Sequence, residues 1–256
     1  MPRFTIITAT RNSERTIQRC IDSIERQTFR DFEWIVIDGN STDHTLEIIQ
    51  NSSMLPNKLL IQDPMGIYTA LNSGVDLASG DYTLFLHSDD FFLDCNYLKN
   101  YSDSIISSSG NISFLYSNVL FINNHDKVVR EWHGKYYSPI QLFLGWMPPH
   151  TTVCVRTSFL KTNNILFSDE YQIASDYDWC LKCFKFLCDR EIMYVKSGII
   201  AMSAGGASNG SLKKYLRSFR EDLSIARKYF GCFYFLTVLS KRIRKLKQIT
   251  MGGSRV

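Results

Sequence analysis

Two adjacent aspartates, Asp89 and Asp90, lie two residues beyond the apolar stretch YTLFL at 82–86. A carboxylate at the end of a buried strand is costly to ionise unless water or a cation meets it. Mg²⁺ and Mn²⁺ take carboxylate oxygens and commonly share their coordination shell with substrate phosphates. The pair therefore predicts a metal and diphosphate site, and the alternative is that the aspartates cap a helix beginning near Phe91.

Three further polar segments, at 8–12, 38–41 and 63–66, also follow apolar stretches of strand length. Together with 87–90 they make four such segments, and three of the four carry aspartate. A carboxylate can accept hydrogen bonds from a nucleobase N–H or from ribose hydroxyls. The glycine-rich motifs GxGxxG and GxxxxGK[ST] are absent from the sequence, which excludes the ordinary dinucleotide and P-loop phosphate sites.

The stretches that precede these segments alternate with helical periodicity over the first 90 residues. An example of the helical spacing is Ile17, Cys20, Ile21 and Ile24. Alternating strands and helices predict an α/β fold with a parallel sheet, in which ligands bind beyond the carboxyl ends of the strands. We therefore expect the four polar segments to meet at one edge of that sheet. The predicted strands lie at 4–8, 33–38, 58–62 and 82–86.

The rest of the chain has a weaker pattern. Further strands are predicted at 112–122, 151–156 and 192–196, and a helix at 175–188. From about residue 212 the chain is predicted to be helical, with an apolar centre at 230–239 followed by basic residues.

Composition limits the possible classes of protein. With 256 residues, 45% of them hydrophobic and 21% charged, the chain is neither disordered, nor collagen, nor a coiled coil. No signal peptide and no spanning apolar run is recognisable, so we expect a cytoplasmic protein. Seven scattered cysteines indicate reduced, mostly buried thiols, with zinc at Cys180, Cys183 and Cys188 as the less favoured alternative.

Charge is unevenly distributed along the chain. Residues 213–256 hold 12 basic and 2 acidic residues, whereas residues 1–212 hold 17 basic and 23 acidic ones. The two parts are therefore expected to face different partners, and we expect no nucleic acid among them.

Several stretches taken together resemble family 2 glycosyltransferases of the GT-A fold, in particular the bacterial branch that builds capsule, exopolysaccharide or O-antigen repeats. The resemblance implies a Rossmann-like, mostly parallel sheet flanked by helices, followed by a C-terminal helical extension. It also implies a catalytic domain at 1–211, with a nucleotide-sugar half at 1–90 and an acceptor half at 91–211, and a basic amphipathic tail at 212–256. The matching stretches are FTIITATRN, EWIVIDGNSTDHT, DPMGIYTALNSGVDLASGDYTLFLHSDD, DEYQIASDYDW and GGASN.

The resemblance implies donor-binding roles along the predicted sheet edge. Asp38 matches the family aspartate that contacts the nucleobase or ribose, and the less favoured alternative is a turn residue before Gly39. Asp89 and Asp90 match the DXD-type motif that holds Mn²⁺ or Mg²⁺. His87 stands at the usual first aspartate, which leaves the direct ligand open, with Asp90 favoured. The complete set of donor-binding residues implied is Thr8, Thr10, Asn12, Asp38, Gly66, Asn72, Ser88 and Asp89.

The resemblance also implies which residues take part in the transfer reaction. Asp176 matches the catalytic base of the ED-type motif, with Ser175 in place of the usual glutamate, and the alternative is that it is the N-cap of the following helix. His150 matches a family histidine facing the acceptor or the diphosphate, and a plain surface or core histidine remains open. Asp178 is expected to be a cap or a supporting group on the acceptor side.

The implied activity is transfer of one sugar, with inversion, from a nucleotide diphosphate sugar, UDP favoured, to a lipid-linked glycan in surface polysaccharide biosynthesis. The processive members carry a QxxRW motif that this chain lacks. The basic tail is expected to attach the protein to the inner face of the cytoplasmic membrane, at about 1 kcal/mol per basic residue near the surface. A glycoside hydrolase with paired carboxylates and a non-catalytic sugar-nucleotide-binding protein are the alternatives.

Overall fold

We describe the protein from a computed structural model, which covers residues 1–108, 111–123, 125–203 and 212–251, without the side chains of 212 and 246–251. Two parts of the predicted site and tail lie outside the described residues, namely the GGASN stretch at 205–209 and the side chain of Lys247. The expected boundary between catalytic domain and tail, at residue 211, lies outside them as well.

Strands and helices alternate through the first half of the chain, as predicted. The strands are β1 (Phe4–Thr10), β2 (Phe32–Asp38), β3 (Lys58–Ile61), β4 (Tyr82–Phe85), β5 (Asp90–Phe92), β6 (Phe114–Ile122), β7 (Val128–Trp132), β8 (Cys154–Arg156) and β9 (Ile192–Ser203). The helices are α1 (Ile17–Glu25), α2 (Thr45–Gln50), α3 (Ile67–Leu77), α4 (Tyr97–Ser107), α5 (Pro139–Phe143), α6 (Thr157–Thr162), α7 (Ser175–Phe186), α8 (Leu212–Phe230) and α9 (Tyr234–Met251).

In the described part of the chain the nine strands form one sheet, ordered β3-β2-β1-β4-β8-β6-β9-β5, with β7 beside β6. The first four strands are mutually parallel, and β6 pairs with β9 in parallel. Antiparallel pairing enters through β8, β7 and β5. The predicted α/β fold with a parallel sheet in its first half is therefore confirmed.

Both faces of the sheet are buried. Successive residues of β1 alternate between two apolar clusters, with Phe4 and Ile6 in one and Ile7 and Ala9 in the other. The first cluster lies against α1 and α4, and the second lies against α3 and α7. Burial on both faces explains why these strands are continuous apolar runs, and it leaves the sheet edge as the place for polar chemistry.

The prediction of a strand at 151–156 was wrong for the first half of that stretch. Residues His150–Thr152 form a 3₁₀ turn, and only Cys154–Arg156 form a strand, β8. The hydroxyl of Thr152 donates to the Pro149 carbonyl at 2.8 Å. The Thr152 carbonyl in turn accepts from the Tyr101 hydroxyl at 2.7 Å, and the Thr152 N–H donates to the Pro149 carbonyl, so neither group pairs with a neighbouring strand.

The C-terminal segment is two helices rather than one. Gly231, with φ of +56°, ends α8 in the left-handed conformation that glycine adopts most readily, and α9 begins after a 3₁₀ turn over Gly231–Phe233. Asp222 of α8 accepts from Lys241 and Arg242 of α9 at 2.7 Å each. We call α8, this turn and α9 the C-terminal hairpin.

The C-terminal hairpin packs on the rest of the protein. Ile225 and Ala226 of α8 and Val238 of α9 are buried, and Ile225 belongs to the apolar cluster that includes α3 and α7. Within the described ranges, no helix combines the length and the apolar character needed to cross a membrane.

Candidate active site

The loops after β1 and β2 are tied together by their side chains. The backbone N–H of Asn12 donates to the Ser41 hydroxyl at 2.9 Å, and the Asn12 side-chain oxygen accepts from the Thr42 N–H at 2.9 Å. The two Asp38 oxygens accept from the N–H and the hydroxyl of Ser41, at 2.7 and 2.6 Å. Asp38 thus holds the turn, as its alternative role required, and a nucleotide contact by Asp38 stays a prediction.

The loop after β1 also reaches the segment that follows β4. The hydroxyls of Ser13 and Ser88 lie 2.8 Å apart. The Thr10 hydroxyl is buried and has no hydrogen-bond partner in the described part of the chain, so it is available to a ligand. Thr8 differs from its neighbours, because its buried hydroxyl accepts from the Trp34 indole N–H at 3.0 Å and lies in the core.

Asp89 and Asp90 occupy different environments. Asp90 begins β5 and is 1% exposed, and neither of its carboxylate oxygens has a hydrogen-bond partner among the described residues. Burial, and then the neighbouring Asp89 charge, raise the pKa of Asp90 well above its usual value. Asp89 is only partly buried, and burial raises its pKa as well. Of the two carboxylates, Asp89 is therefore the more open to a ligand, contrary to the expectation that favoured Asp90.

The alternative in which these aspartates cap a helix near Phe91 was wrong. Residues Asp90–Phe92 form β5, which pairs with β9, and the next helix begins only at Tyr97. The pair therefore connects two strands of the sheet, and its carboxylates have no helix end to satisfy.

These carboxylates fit a divalent cation shared with a ligand. Among the described residues, no three histidine, cysteine or acidic side chains lie close enough to hold a metal ion by themselves. The protein offers instead one partly exposed carboxylate, Asp89, and one unpartnered buried carboxylate, Asp90, behind it. That supply matches the way Mg²⁺ and Mn²⁺ bind through one or two carboxylates plus substrate phosphate oxygens.

The carboxylate of Asp176 and the imidazole of His150 are in direct contact. His150 Nδ1 lies 3.1 Å from Asp176 Oδ2, and the two side chains are 28% and 19% exposed. Asp176 lies in the first turn of α7, whose N-cap is Ala174, so the alternative role of Asp176 as N-cap was wrong. A partly exposed carboxylate oriented by an imidazole can accept a proton from a bound hydroxyl.

The position of His150 is fixed by buried tyrosines. It begins the 3₁₀ turn whose Thr152 carbonyl accepts from the hydroxyls of Tyr97 and Tyr101, at 3.2 and 2.7 Å. The His150 ring lies 5.9 Å from the ring of His87, which immediately precedes Ser88 and Asp89. Burial, and then the proximity of His150, lower the pKa of His87 to about 3, so its imidazole is neutral. His87 and His150 thus link the aspartate pair to Asp176.

Asp178 lies apart from this arrangement. Its carboxylate is fully buried and pairs with Lys182 at 2.9 Å and Lys228 at 3.0 Å, and it accepts from the Tyr229 hydroxyl at 3.0 Å. Two cations and a hydroxyl offset the cost of burying this charge. The structure thus gives Asp178 a supporting place inside the protein, with no exposed oxygen for an acceptor.

Helix α3 connects the two halves of the chain. Gly66, with φ of +100°, precedes α3 in a conformation that strains other residues. The Asn72 side chain donates to the Phe167 carbonyl and accepts from the Phe167 N–H, both at 2.9 Å. The Tyr68 hydroxyl donates to the Ile173 carbonyl at 2.8 Å.

The roles of Tyr68 and Ser41 were not predicted, although both belong to stretches that carried the family resemblance.

Comparison with known proteins places this geometry in context. Residues 5–100 match the sequence model of the family described as Glycosyl transferase family 2. A PGL/p-HBAD biosynthesis glycosyltransferase of Mycobacterium tuberculosis is 31% identical over 186 residues, which is 72% of this chain and 70% of the relative. The Escherichia coli UDP-Glc:alpha-D-GlcNAc-diphosphoundecaprenol beta-1,3-glucosyltransferase WfgD is 28% identical over 218 residues, which is 83% of this chain and 82% of WfgD.

Solved structures share the fold. Residues 1–349 of S. aureus TarS, in complex with UDP-GlcNAc, match with a TM-score of 0.70 and 20% identity, over 96% of this chain and 73% of that one. The chain spans 43% of a longer TarS structure. The mannosyltransferase PcManGT from Pyrobaculum calidifontis, in complex with GDP-Man and Mn²⁺, matches with a TM-score of 0.66 and 14% identity, over 99% of this chain and 76% of that one. These neighbours confirm the predicted GT-A fold.

Replacing Asp90 with Asn should stabilise the metal-free protein. Because burial raises the pKa of Asp90, its ionised form destabilises the folded state near neutral pH. Asp90→Asn should therefore raise the melting temperature, measured by calorimetry in chelator near neutral pH, by about 2 °C or more. The difference should shrink as pH falls through the raised pKa, where the wild-type carboxyl is also neutral.

Asp81→Asn is the control for this measurement, because Asp81 is half exposed in a surface pair with Arg3. It should change the melting temperature by less than about 1 °C. An Asp90→Asn protein that melts at or below the wild-type temperature near neutral pH would show that the buried carboxylate already has a compensating partner.

Proposed function

The chain belongs to glycosyltransferase family 2, and we propose that it transfers one sugar from a nucleotide diphosphate sugar, with UDP favoured, to a hydroxyl of a lipid-linked glycan. The observation that carries this proposal is that His87, next to the aspartate pair, lies beside His150, which in turn contacts Asp176. The UDP-GlcNAc bound by TarS supports the donor, and the diphosphoundecaprenol in the name of WfgD supports the acceptor. We propose surface polysaccharide biosynthesis as the setting of this reaction.

The proposed reaction is a single displacement with inversion. The acceptor oxygen forms a bond to the anomeric carbon while the bond from that carbon to the diphosphate oxygen breaks. Asp176 takes the proton of the acceptor hydroxyl, and His150, whose Nδ1 lies 3.1 Å from Asp176 Oδ2, orients its carboxylate. Asp89, with Asp90 behind it, would hold a Mn²⁺ or Mg²⁺ ion, which neutralises charge on the departing diphosphate when bound.

We propose that the donor and the acceptor bind to different halves of the chain. The parallel strands β1 to β4 are proposed to carry the donor loops within residues 1–90. His150 and Asp176 lie in the second half, at 91–211, which we propose as the acceptor half. We propose one sugar per encounter, because the QxxRW motif of processive members is absent from the sequence.

Asp176→Asn tests the proposed base. Proton removal matters in the transition state more than in donor binding, so kcat should fall by at least about 10²-fold. Affinity for the nucleotide sugar, measured by calorimetry with Mn²⁺, should change by less than about twofold.

The matched variant is Asp178→Asn, two residues further along α7. It breaks the buried ion pairs with Lys182 and Lys228 and should lower the melting temperature, while kcat per folded enzyme stays within about fivefold of wild type. A well-folded Asp176→Asn enzyme with near-wild-type kcat would remove Asp176 from the mechanism.

Metal dependence is tested at Asp89. Chelation should abolish transfer by the wild-type enzyme, and Mn²⁺ should restore it. Asp89→Ala should lower transfer at least about 10²-fold and should lose the rise in melting temperature that Mn²⁺ with UDP gives the wild type. Asp63→Ala, an exposed aspartate in the loop after β3, is the control and should keep both. Transfer that survives chelation unchanged would overturn the metal role.

We also propose that the C-terminal hairpin rests on the inner face of the cytoplasmic membrane. Helix α9 presents an apolar stripe of Phe235, Leu236, Leu239 and Ile243, each 46–60% exposed and spaced to lie on one face. The basic excess of residues 213–256 complements anionic headgroups, and a lipid-linked acceptor would be met at that surface.

Membrane binding is proposed to have two contributions, namely insertion of apolar side chains and attraction of basic side chains to anionic headgroups, and the structure changes their relative weight. Lys241 and Arg242, expected to face lipid, instead pair with Asp222 inside the hairpin. Arg244 donates to the Leu144 carbonyl at 3.2 Å. Lys245 is exposed. Insertion of the apolar stripe, with fewer free basic side chains than the sequence suggested, is therefore the main proposed contribution.

Flotation with anionic vesicles tests this attachment. Replacing both Phe235 and Leu239 with Ser should weaken binding to phosphatidylglycerol vesicles at least about tenfold, since two large apolar side chains no longer insert. The control replaces two exposed apolar residues elsewhere, Leu93 and Ile106, with Ser and should float like wild type. Equal flotation of all three proteins would count against the membrane proposal.

A further inference from the structure

A single carboxylate of the C-terminal hairpin holds the segment in front of the proposed base. Glu221 of α8 accepts hydrogen bonds from three consecutive backbone N–H groups, those of Gln172, Ile173 and Ala174, at 3.1, 2.9 and 2.9 Å. Three successive N–H groups that point at one anion form a concave binding site for negative charge. Ala174 is the N-cap of α7, and Asp176 follows two residues later.

The same segment is fixed from its other side. The Tyr68 hydroxyl of α3 donates to the Ile173 carbonyl at 2.8 Å. The Ser175 hydroxyl donates to the Ser168 carbonyl, also at 2.8 Å. Glu221 thus binds three N–H groups of this segment, while the domain binds the Ile173 carbonyl and the Ser175 hydroxyl, so both contacts hold the start of α7.

Other contacts of the hairpin also fall on the first turn of α7. Lys228 and Tyr229 of α8 meet the buried Asp178, and the Lys241 ammonium lies 3.6 Å from the centre of the Tyr177 ring. These residues flank Asp176 on its C-terminal side, whereas Glu221 acts on its N-terminal side. The hairpin therefore contacts the backbone before Asp176 and the side chains of Tyr177 and Asp178 after it.

We propose that Glu221 is a positioning residue for sugar transfer. It fixes the backbone that carries Asp176, so the C-terminal hairpin sets the distance between the carboxylate and the acceptor hydroxyl. This inference rests on the proposed role of Asp176 as the base. Misplacement of a reacting group by about 1 Å can lower a rate by about 10²-fold, so loss of the Glu221 contacts should act on kcat.

Two substitutions of Glu221 separate its contacts. Glu221→Ala removes all three acceptor bonds and should lower kcat at least about tenfold. Glu221→Gln keeps the shape of the side chain and one carbonyl oxygen, but its amide NH₂ faces an N–H group. Its kcat should therefore lie between that of the wild type and that of Glu221→Ala. KM and Kd for the nucleotide sugar should stay within about twofold of wild type in both variants.

Glu170→Gln is the matched control, because Glu170 is exposed and lies just before the same segment. It should leave kcat and the melting temperature unchanged. All rates are divided by the folded fraction measured in thermal melts, so that a variant that only destabilises the chain regains the wild-type kcat. That regained rate for Glu221→Gln would overturn the positioning role.

A double-mutant cycle with Asp176→Asn distinguishes this inference from the proposed function. If Glu221 acts through Asp176, then Glu221→Gln should change the residual rate of the Asp176→Asn enzyme by less than about twofold. Multiplicative losses would show that Glu221 acts independently and would overturn the inference. Wild-type kcat in Asp176→Asn alone would instead overturn Asp176 as base, whatever the effect of Glu221.

Discussion

The carboxylates around the candidate site are wholly or partly buried, and burial disfavours an ionised carboxylate unless donors or cations meet it. Most of them have found such partners within the chain. Asp38 takes the N–H and hydroxyl of its own turn, Asp178 takes two lysines and a tyrosine, and Glu221 takes three backbone N–H groups. Asp90 differs, because neither of its oxygens has a hydrogen-bond partner in the described ranges. That contrast is why the aspartate pair stands out, among these carboxylates, as incomplete without a ligand.

The same requirement for partners joins parts of the chain that are far apart in sequence. Periodicity predicted β1 to β4 and the helices between them, because burial on both faces imposes a local pattern on every strand. Periodicity carries no information about which side chain meets which loop. The contacts of Tyr68 with Ile173 and of Asn72 with Phe167 join residues about a hundred positions apart in the sequence. Only the folded structure shows them.

The C-terminal segment shows where sequence reasoning was limited. An excess of ten positive charges in residues 213–256 pointed to an anionic partner outside the protein. The two acidic residues in that stretch, Glu221 and Asp222, were the better guide to its structure, because each is used inside the molecule. The break at Gly231 was also missed, since the apolar residues on both sides of it continue one pattern. A lone acidic pair in a basic helix is a signal that could have been read.

The place of Glu221 in the chain has a consequence for synthesis. The ribosome makes α8 after the whole sheet and after α7, so the three N–H groups at 172–174 wait for their carboxylate until the hairpin is complete. Until then Asp178 also lacks Lys228 and Tyr229 and is a buried charge with fewer partners. A chain synthesised only as far as α7 therefore lacks the hairpin contacts on both sides of Asp176. Residue 211 is a natural boundary in the sequence. A cut there would remove the contacts that Glu221, Lys228 and Tyr229 make with the start of α7.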